Sequence, residues 1–192
     1  MKFSFALPIL IILFSINIMI LDQDFYKHEM PNYAQYEAQV SNLLHYFEGS
    51  SLNTEYYSER EIMHLADVRR LIWISWAIIL VLLIPILYSF CKDKKEHIRK
   101  QMISGGIYSL ILTLLFSLTL LSFSSSFIIF HEIVFTNDLW LLPASSTLIQ
   151  MFPEEFFLQS TMQIVLYSLI FSIVIIILGW KIPGEPKHGK RT

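Results

Sequence analysis

Residues 103–138 read "ISGGIYSLILTLLFSLTLLSFSSSFIIFHEIVFTND". No charge interrupts the run from Ile103 to Phe130, and it ends on a His–Glu pair, His131 and Glu132. As one helix it would be about 40 Å long, against a hydrocarbon core of about 30 Å. Either such a helix tilts, or its serine-rich end, with Ser122, Ser124, Ser125 and Ser126, lines a polar cavity near one membrane face. His131 follows directly, where a titratable pair in hydrocarbon would be costly. It either marks the membrane edge or does chemistry there.

Working outward, three more apolar runs are long enough to cross a bilayer, at residues 3–20, 71–91 and 161–180. The chain is 54% hydrophobic and only 16% charged, which sets it apart from soluble domains. The expected fold is therefore all-α, an integral membrane protein with four transmembrane helices and two structured extracytoplasmic segments. It forms one membrane domain over residues 1–192. The first run follows Lys2 and resembles a signal sequence, but "IMILDQDFYK" continues without a small-residue cleavage site, so it reads as a retained anchor.

Basic residues set the orientation. Lys92, Lys94, Lys95, Arg99 and Lys100 crowd the short loop 92–102, and Lys181, Lys187, Lys190 and Arg191 the tail 181–192. The segment 21–70 holds only Lys27, Arg60, Arg69 and Arg70, and 131–160 holds no Lys or Arg. Short basic loops stay in the cytoplasm. Both termini are expected inside and both long segments outside. The one cysteine, Cys91, then lies on the cytoplasmic side, which excludes a disulfide framework or a cysteine nucleophile outside. Gly105 and Gly106 suit close helix packing.

The outer segments carry their own structure. In residues 31–50, Tyr33, Tyr36, Val40, Leu43, Leu44 and Phe47 share one helical face, with Asn32 to start the helix and Gly49 to end it. Ser58 and Glu61 form a capping box, so the second spanning helix begins outside the membrane, about two turns above the lipid. His64 hangs just above the bilayer on the face of Glu61, with Asp67 beside it; either carboxylate is placed to orient its ring. Arg69 and Arg70 fall at the interface, suited to phosphate or carboxylate. The segment 131–160 is too apolar for a solvated loop and should fold back onto the bundle. Pro153, Glu154 and Glu155 suit the first turn of the last helix.

His64 and His131 thus reach the same depth from neighbouring elements, each near a carboxylate. Singly, each is more simply a packing residue; together they form a candidate site. The other histidines, His28, His45, His97 and His188, lack such a setting. A second zinc-ligand histidine at HExxH spacing is missing after "HEIVF". There is no G-x-S-x-G elbow, and Ser145 and Ser146 suit a cap.

The stretches "HYFEG", "SEREIMHLADVRRL", "FHEIVFTNDLWLLP" and "LIQMFPEEFF" resemble the bacterial lipoprotein intramolecular transacylases, four-span proteins of Gram-positive bacteria. The likeness runs from about residue 26 to about 161 and rests on E-x-x-H-x-x-D-V together with F-H-x-x-x-F. It implies transfer of the sn-2 acyl chain of a diacylglyceryl-cysteine lipoprotein to its own α-amino group, giving the lyso form. It puts the family's two essential histidines on His64 and His131; beside them, by position in this sequence, stand Glu61, Asp67, Arg69, Arg70, Asn137 and Trp140 as orienting or substrate-binding candidates. It implies no metal or cofactor. The expected partners are diacylglyceryl lipoproteins and membrane lipids, with no nucleic acid, in the bacterial cell membrane. The alternative is a non-enzymatic sensor or subunit that binds lipid between its helices.

Overall fold

A computed structural model describes residues 3–184. Lys2 and the part of the basic tail beyond Gly184 lie outside the described residues. The described chain is all-helical. Its helices are α1 (Leu7–Leu21), α2 (Gln23–Glu29), α3 (Tyr33–Glu48), α4 (Glu59–Lys92), α5 (Lys95–Ser117), α6 (Phe123–Val134), α7 (Thr147–Met151) and α8 (Glu154–Lys181).

Helices α4 and α8, and α5 taken together with α6, are long and apolar enough to cross a membrane. The first apolar run makes a helix of only 15 residues. It bends by 68° into α2, and only the bent pair passes the same test. Asp22 makes the bend: its carboxylate caps α2 by accepting the Phe25 N–H at 3.1 Å and takes the Tyr167 hydroxyl at 3.0 Å.

The bundle packs through small residues. Helix α1 touches α4, α5 and α8, and α5 lies along α8. A Cβ on Gly106 would meet Ile176 Cγ1 at 2.5 Å, and one on Gly105 would collide with Leu7. Ser109, Ser168 and Ser172 are buried at the same contacts, and Ser168 donates to Ser15 Oγ at 3.0 Å. In lipid, close approach and interhelical hydrogen bonds hold helices together, because burying apolar surface gains little there. The outward faces carry exposed Leu80, Ile84, Leu87 and Leu121. The protein is an all-helical, multi-pass membrane protein.

Helix α3 starts at Tyr33 and stops at Gly49, which has φ 124°. Asn32 does not cap it by its side chain; it adopts the left-handed region, φ 57°, and turns the chain instead. Ser58 and Glu61 complete the expected capping box at the start of α4. The segment after His131 does fold back: Leu148, Met151, Phe152 and Phe156 bury against Tyr26, Val40, Leu43, Phe47, Tyr57 and Leu65. Leu141 and Phe157 stay partly exposed. This core sits at the end that carries both histidines. A smaller one, around Phe3, Ile86, Ile98 and Met102, closes the other end.

The long third run is not one helix. Residues 118–122 tighten into a 3₁₀ turn between α5 and α6. Ser117 and Thr119 return their hydroxyls to the carbonyls of Leu114 and Phe116, both at 2.8 Å. Such back-bonding competes with the helix ladder and bends it. The excess length is taken up by a break, and α6 follows as a short arm in which only His131 is buried.

Candidate functional site

Two elements bring the histidines together. His64 lies in the second turn of α4, ahead of the apolar run that begins at Leu71, and His131 lies in the last turn of α6. Their ring centroids are 6.3 Å apart.

His131 is 9% exposed and boxed by aromatic rings. Phe127 is at 4.3 Å, Trp140 at 4.8 Å, Phe130 at 5.3 Å and Phe135 at 5.6 Å between centroids. Its Nδ1 donates to the Phe127 carbonyl at 2.7 Å, an assignment made from that partner. A neutral His131 therefore keeps its lone pair on Nε2. Phe127 was not among the expected residues. Its spacing of four from His131 carries the signal once a helix is assumed there.

His64 is half-buried, with the Phe135 ring at 5.2 Å. Its Nδ1 is buried and has no partner among the described residues. Burial, then the charge on His131, holds its pKa down to about 4, with Asp67 pulling weakly the other way. Neither flanking carboxylate orients the ring by a hydrogen bond.

Glu61, 2% exposed, accepts the Ser58 N–H at 2.8 Å, the Ser58 hydroxyl at 2.7 Å and the Leu148 N–H at 2.9 Å. It anchors α7 to the start of α4. Its charge, after burial, pushes the nearby Tyr57 hydroxyl up to about 12. Asp67 reaches across to the other histidine's loop and accepts Asn137 Nδ2 at 2.9 Å. Asn137 Oδ1 in turn takes the Leu139 N–H at 3.0 Å, a tight turn that leads Trp140 onto His131. Arg60, unanticipated, donates to the Asp138 carbonyl and ties the same loop to α4.

The two interface arginines stand apart. Arg70 pairs with Asp67 at 3.4 Å in the open. Arg69 lies over the rings of Tyr46 and Trp73, at 4.2 and 5.0 Å. The structure thus gathers His64, His131, Asp67, Asn137 and Trp140, and places Glu61 one turn behind them. Beside the Trp140 wall opens a cleft of about 540 Å³, lined also by Phe135, Asn137, Glu132 and Asp138. A buried and a half-buried imidazole, 6.3 Å apart among aromatic rings, suit proton transfer.

The model for the family "Lipoprotein intramolecular transacylase Lit" matches residues 1–157. The fold is similar to a solved structure of the membrane integral lipoprotein intramolecular transacylase Lit from Bacillus cereus, with a TM-score of 0.76 and 20% identity. That match covers 92% of this chain and 90% of the other. A second structure of that protein, with one histidine replaced, matches with a TM-score of 0.72, at 22% identity, over 93% of this chain and 88% of the other. At that identity the likeness speaks for the fold. An uncharacterized protein of Aquifex aeolicus (strain VF5) is 28% identical over 124 residues, 64% of this chain. The chain spans 56% of that curated relative's length. With more than half of its length under the family model, the chain belongs to the lipoprotein intramolecular transacylase Lit family.

Proposed function

We propose that this protein moves the sn-2 acyl chain of a diacylglyceryl-cysteine lipoprotein to the cysteine's own α-amino group, with His64 and His131 transferring the protons. The observation that carries this is the histidine pair, 6.3 Å apart in an aromatic box. Family membership supplies the reaction class.

The steps balance. The α-ammonium, with a reference pKa of about 7.7–8.0, gives up its first proton through a neutral imidazole to water. The free amine attacks the sn-2 ester carbonyl, an N–C bond forms, and the nitrogen hands its second proton to a neutral imidazole. The C–O bond to glycerol breaks, and the glycerol oxygen takes a proton from an imidazolium. The products are an amide and a free sn-2 hydroxyl on the same molecule. Nucleophile and ester arrive on one substrate, so positioning supplies much of the rate, and no acyl-enzyme is needed. Asp67, Asn137 and Trp140 position the His131 side of the pair. The substrate's tails lie in lipid, and its ester groups meet the histidines at the interface.

The orientation follows from the basic loop between α4 and α5: both termini and that loop are cytoplasmic, with four spans and the histidines at the outer leaflet. A cysteine placed at Asn53 or Asn137 is then labelled by impermeant reagents on intact cells, and one at Lys95 is not. The reverse pattern overturns the orientation.

The deciding experiment is mass spectrometry of lipoprotein N-termini in a bacterial host that lacks lyso-form lipoproteins. Expression of this chain should create the lyso form, and prior chelation should leave turnover by the purified protein intact. Unchanged lipoproteins would point to the lipid-binding alternative, and inhibition reversed by zinc to a metal enzyme.

A further inference from the structure

Adjacent arginines on α4 meet different fates. Arg70 is paired with Asp67, although that contact is exposed. Arg69 has no carboxylate or carbonyl partner among the described residues; its contacts are the two rings. Five residues separate it from His64, so at 100° per residue it projects from a different side of the helix.

The seat under Arg69 is built in advance. Tyr46 is buried in the core of α3. Trp73 donates its indole N–H to the Phe47 carbonyl at 2.8 Å and lies against Gly49, where a Cβ would be 3.9 Å from its Cζ2. Trp73 is 45% exposed. Ring contacts use the flat faces of a guanidinium and leave its in-plane N–H donors unspent. Those donors sit two residues before the apolar run 71–91, at the level where lipid phosphates lie. A weakly hydrated, pre-oriented fork of this kind matches a phosphate's oxygens.

We propose that Arg69, held over Tyr46 and Trp73, binds the phosphate of an anionic phospholipid in the leaflet that faces the histidine pair. The site is separate from the catalytic one. It fixes a lipid head group between α3 and α4, and so the depth at which the histidines stand.

The test uses the full chain in detergent micelles, titrated with phosphatidylglycerol and followed by native mass spectrometry. Wild type should hold a phosphatidylglycerol that Arg69→Gln binds about tenfold more weakly, the loss expected for one charge-assisted contact. Arg70→Gln should bind as wild type does. Equal binding by wild type and Arg69→Gln overturns the proposal, and so does an equal loss in Arg70→Gln. Glycerol 1-phosphate and inorganic phosphate form the second arm. If either displaces the lipid at comparable concentration, the site serves a soluble anion and the lipid assignment fails. Should Arg69→Gln not fold, Arg69→Lys keeps the charge but not the planar stack. It should weaken binding at least threefold, and unchanged binding overturns the seat.

Discussion

The two helices that carry the histidines are built on opposite plans. Helix α4 runs 34 residues without a break and starts on a complete capping box. Helix α6 has 12 residues, follows a 3₁₀ turn and buries only His131. His64 is therefore placed by its helix. His131 is placed by its neighbours: the Phe127 carbonyl, the Trp140 ring and the bond from Asn137 to Asp67. Ser124, which donates to Glu154, and Phe127, 5.2 Å from Phe157, hold the arm to α8. A rigid element and an adjustable one meet at the pair. Substitutions on the two sides should then fail in different ways.

The largest effect is expected where the sides meet. His64→Gln and His131→Gln should each lower lyso-lipoprotein formation by about 10²–10⁴-fold, the usual cost of removing a general acid or base. Both variants should remain folded and membrane-inserted. Lysine at 131 should do no better: it could serve a helix end as a cation, but it stays charged near neutrality. Near-normal product from His131→Gln would reduce that residue to a marker of the membrane edge.

Next comes Glu61→Ala, on the rigid side. It removes an acceptor of three hydrogen bonds, at 2.7–2.9 Å, in a buried site. The buried Leu148 N–H and two part-buried Ser58 donors lose their partner, and the cost should be on the order of 2 kcal/mol. The thermal midpoint should fall by several degrees, with α7 and α8 loosened. Asn137→Ala, on the adjustable side, should do the opposite. It leaves the midpoint nearly unchanged and lowers turnover about tenfold, the size of one hydrogen bond to a charged group. If Asn137→Ala lost stability and Glu61→Ala lost only rate, the contrast between the sides would be wrong.

The rigid side was also the more legible in sequence. The capping box, the face of α3 and the start of α8 are local patterns, and they appear where spacing puts them. The nearness of the histidines was readable too, because each stands at the end of an apolar run. What local patterns do not carry is the partner. Glu61 finds the Leu148 N–H 87 residues away, and Asp67 finds Asn137 70 residues away; from sequence both carboxylates seemed placed for His64. Arg69 turned to rings on α3 and α4 rather than to the site. The break at 118–122 was hidden for another reason. Hydropathy does not distinguish a serine that continues a helix from one that bonds back and bends it.

The smallest expected effect is an absence of change, and it concerns His64. Its pKa of about 4 lies below the ordinary histidine value of about 6.5. The sign follows from the neutral form being favoured in the folded protein. Between about pH 4 and 6.5 the unfolded chain binds the extra proton, so this group's contribution to stability rises with pH there and is flat above. For turnover, a neutral ring is the proton acceptor, so His64 is ready throughout the range about 6 to 8. The substrate's amine, with a reference pKa of about 7.7–8.0, should then set the acid limb alone. Initial rates in vesicles should rise tenfold per pH unit up to that region and level off, with no second break near 6.5. Imidazole ¹⁵N spectra of the full chain, with His64 assigned through His64→Gln, should show that ring neutral at about pH 5.5. A His64 signal titrating at about 6.5 would mean a solvated ring. The aromatic wall around the pair would then be open, and His64 would resemble an ordinary surface residue on a helix whose fold alone had brought it near His131.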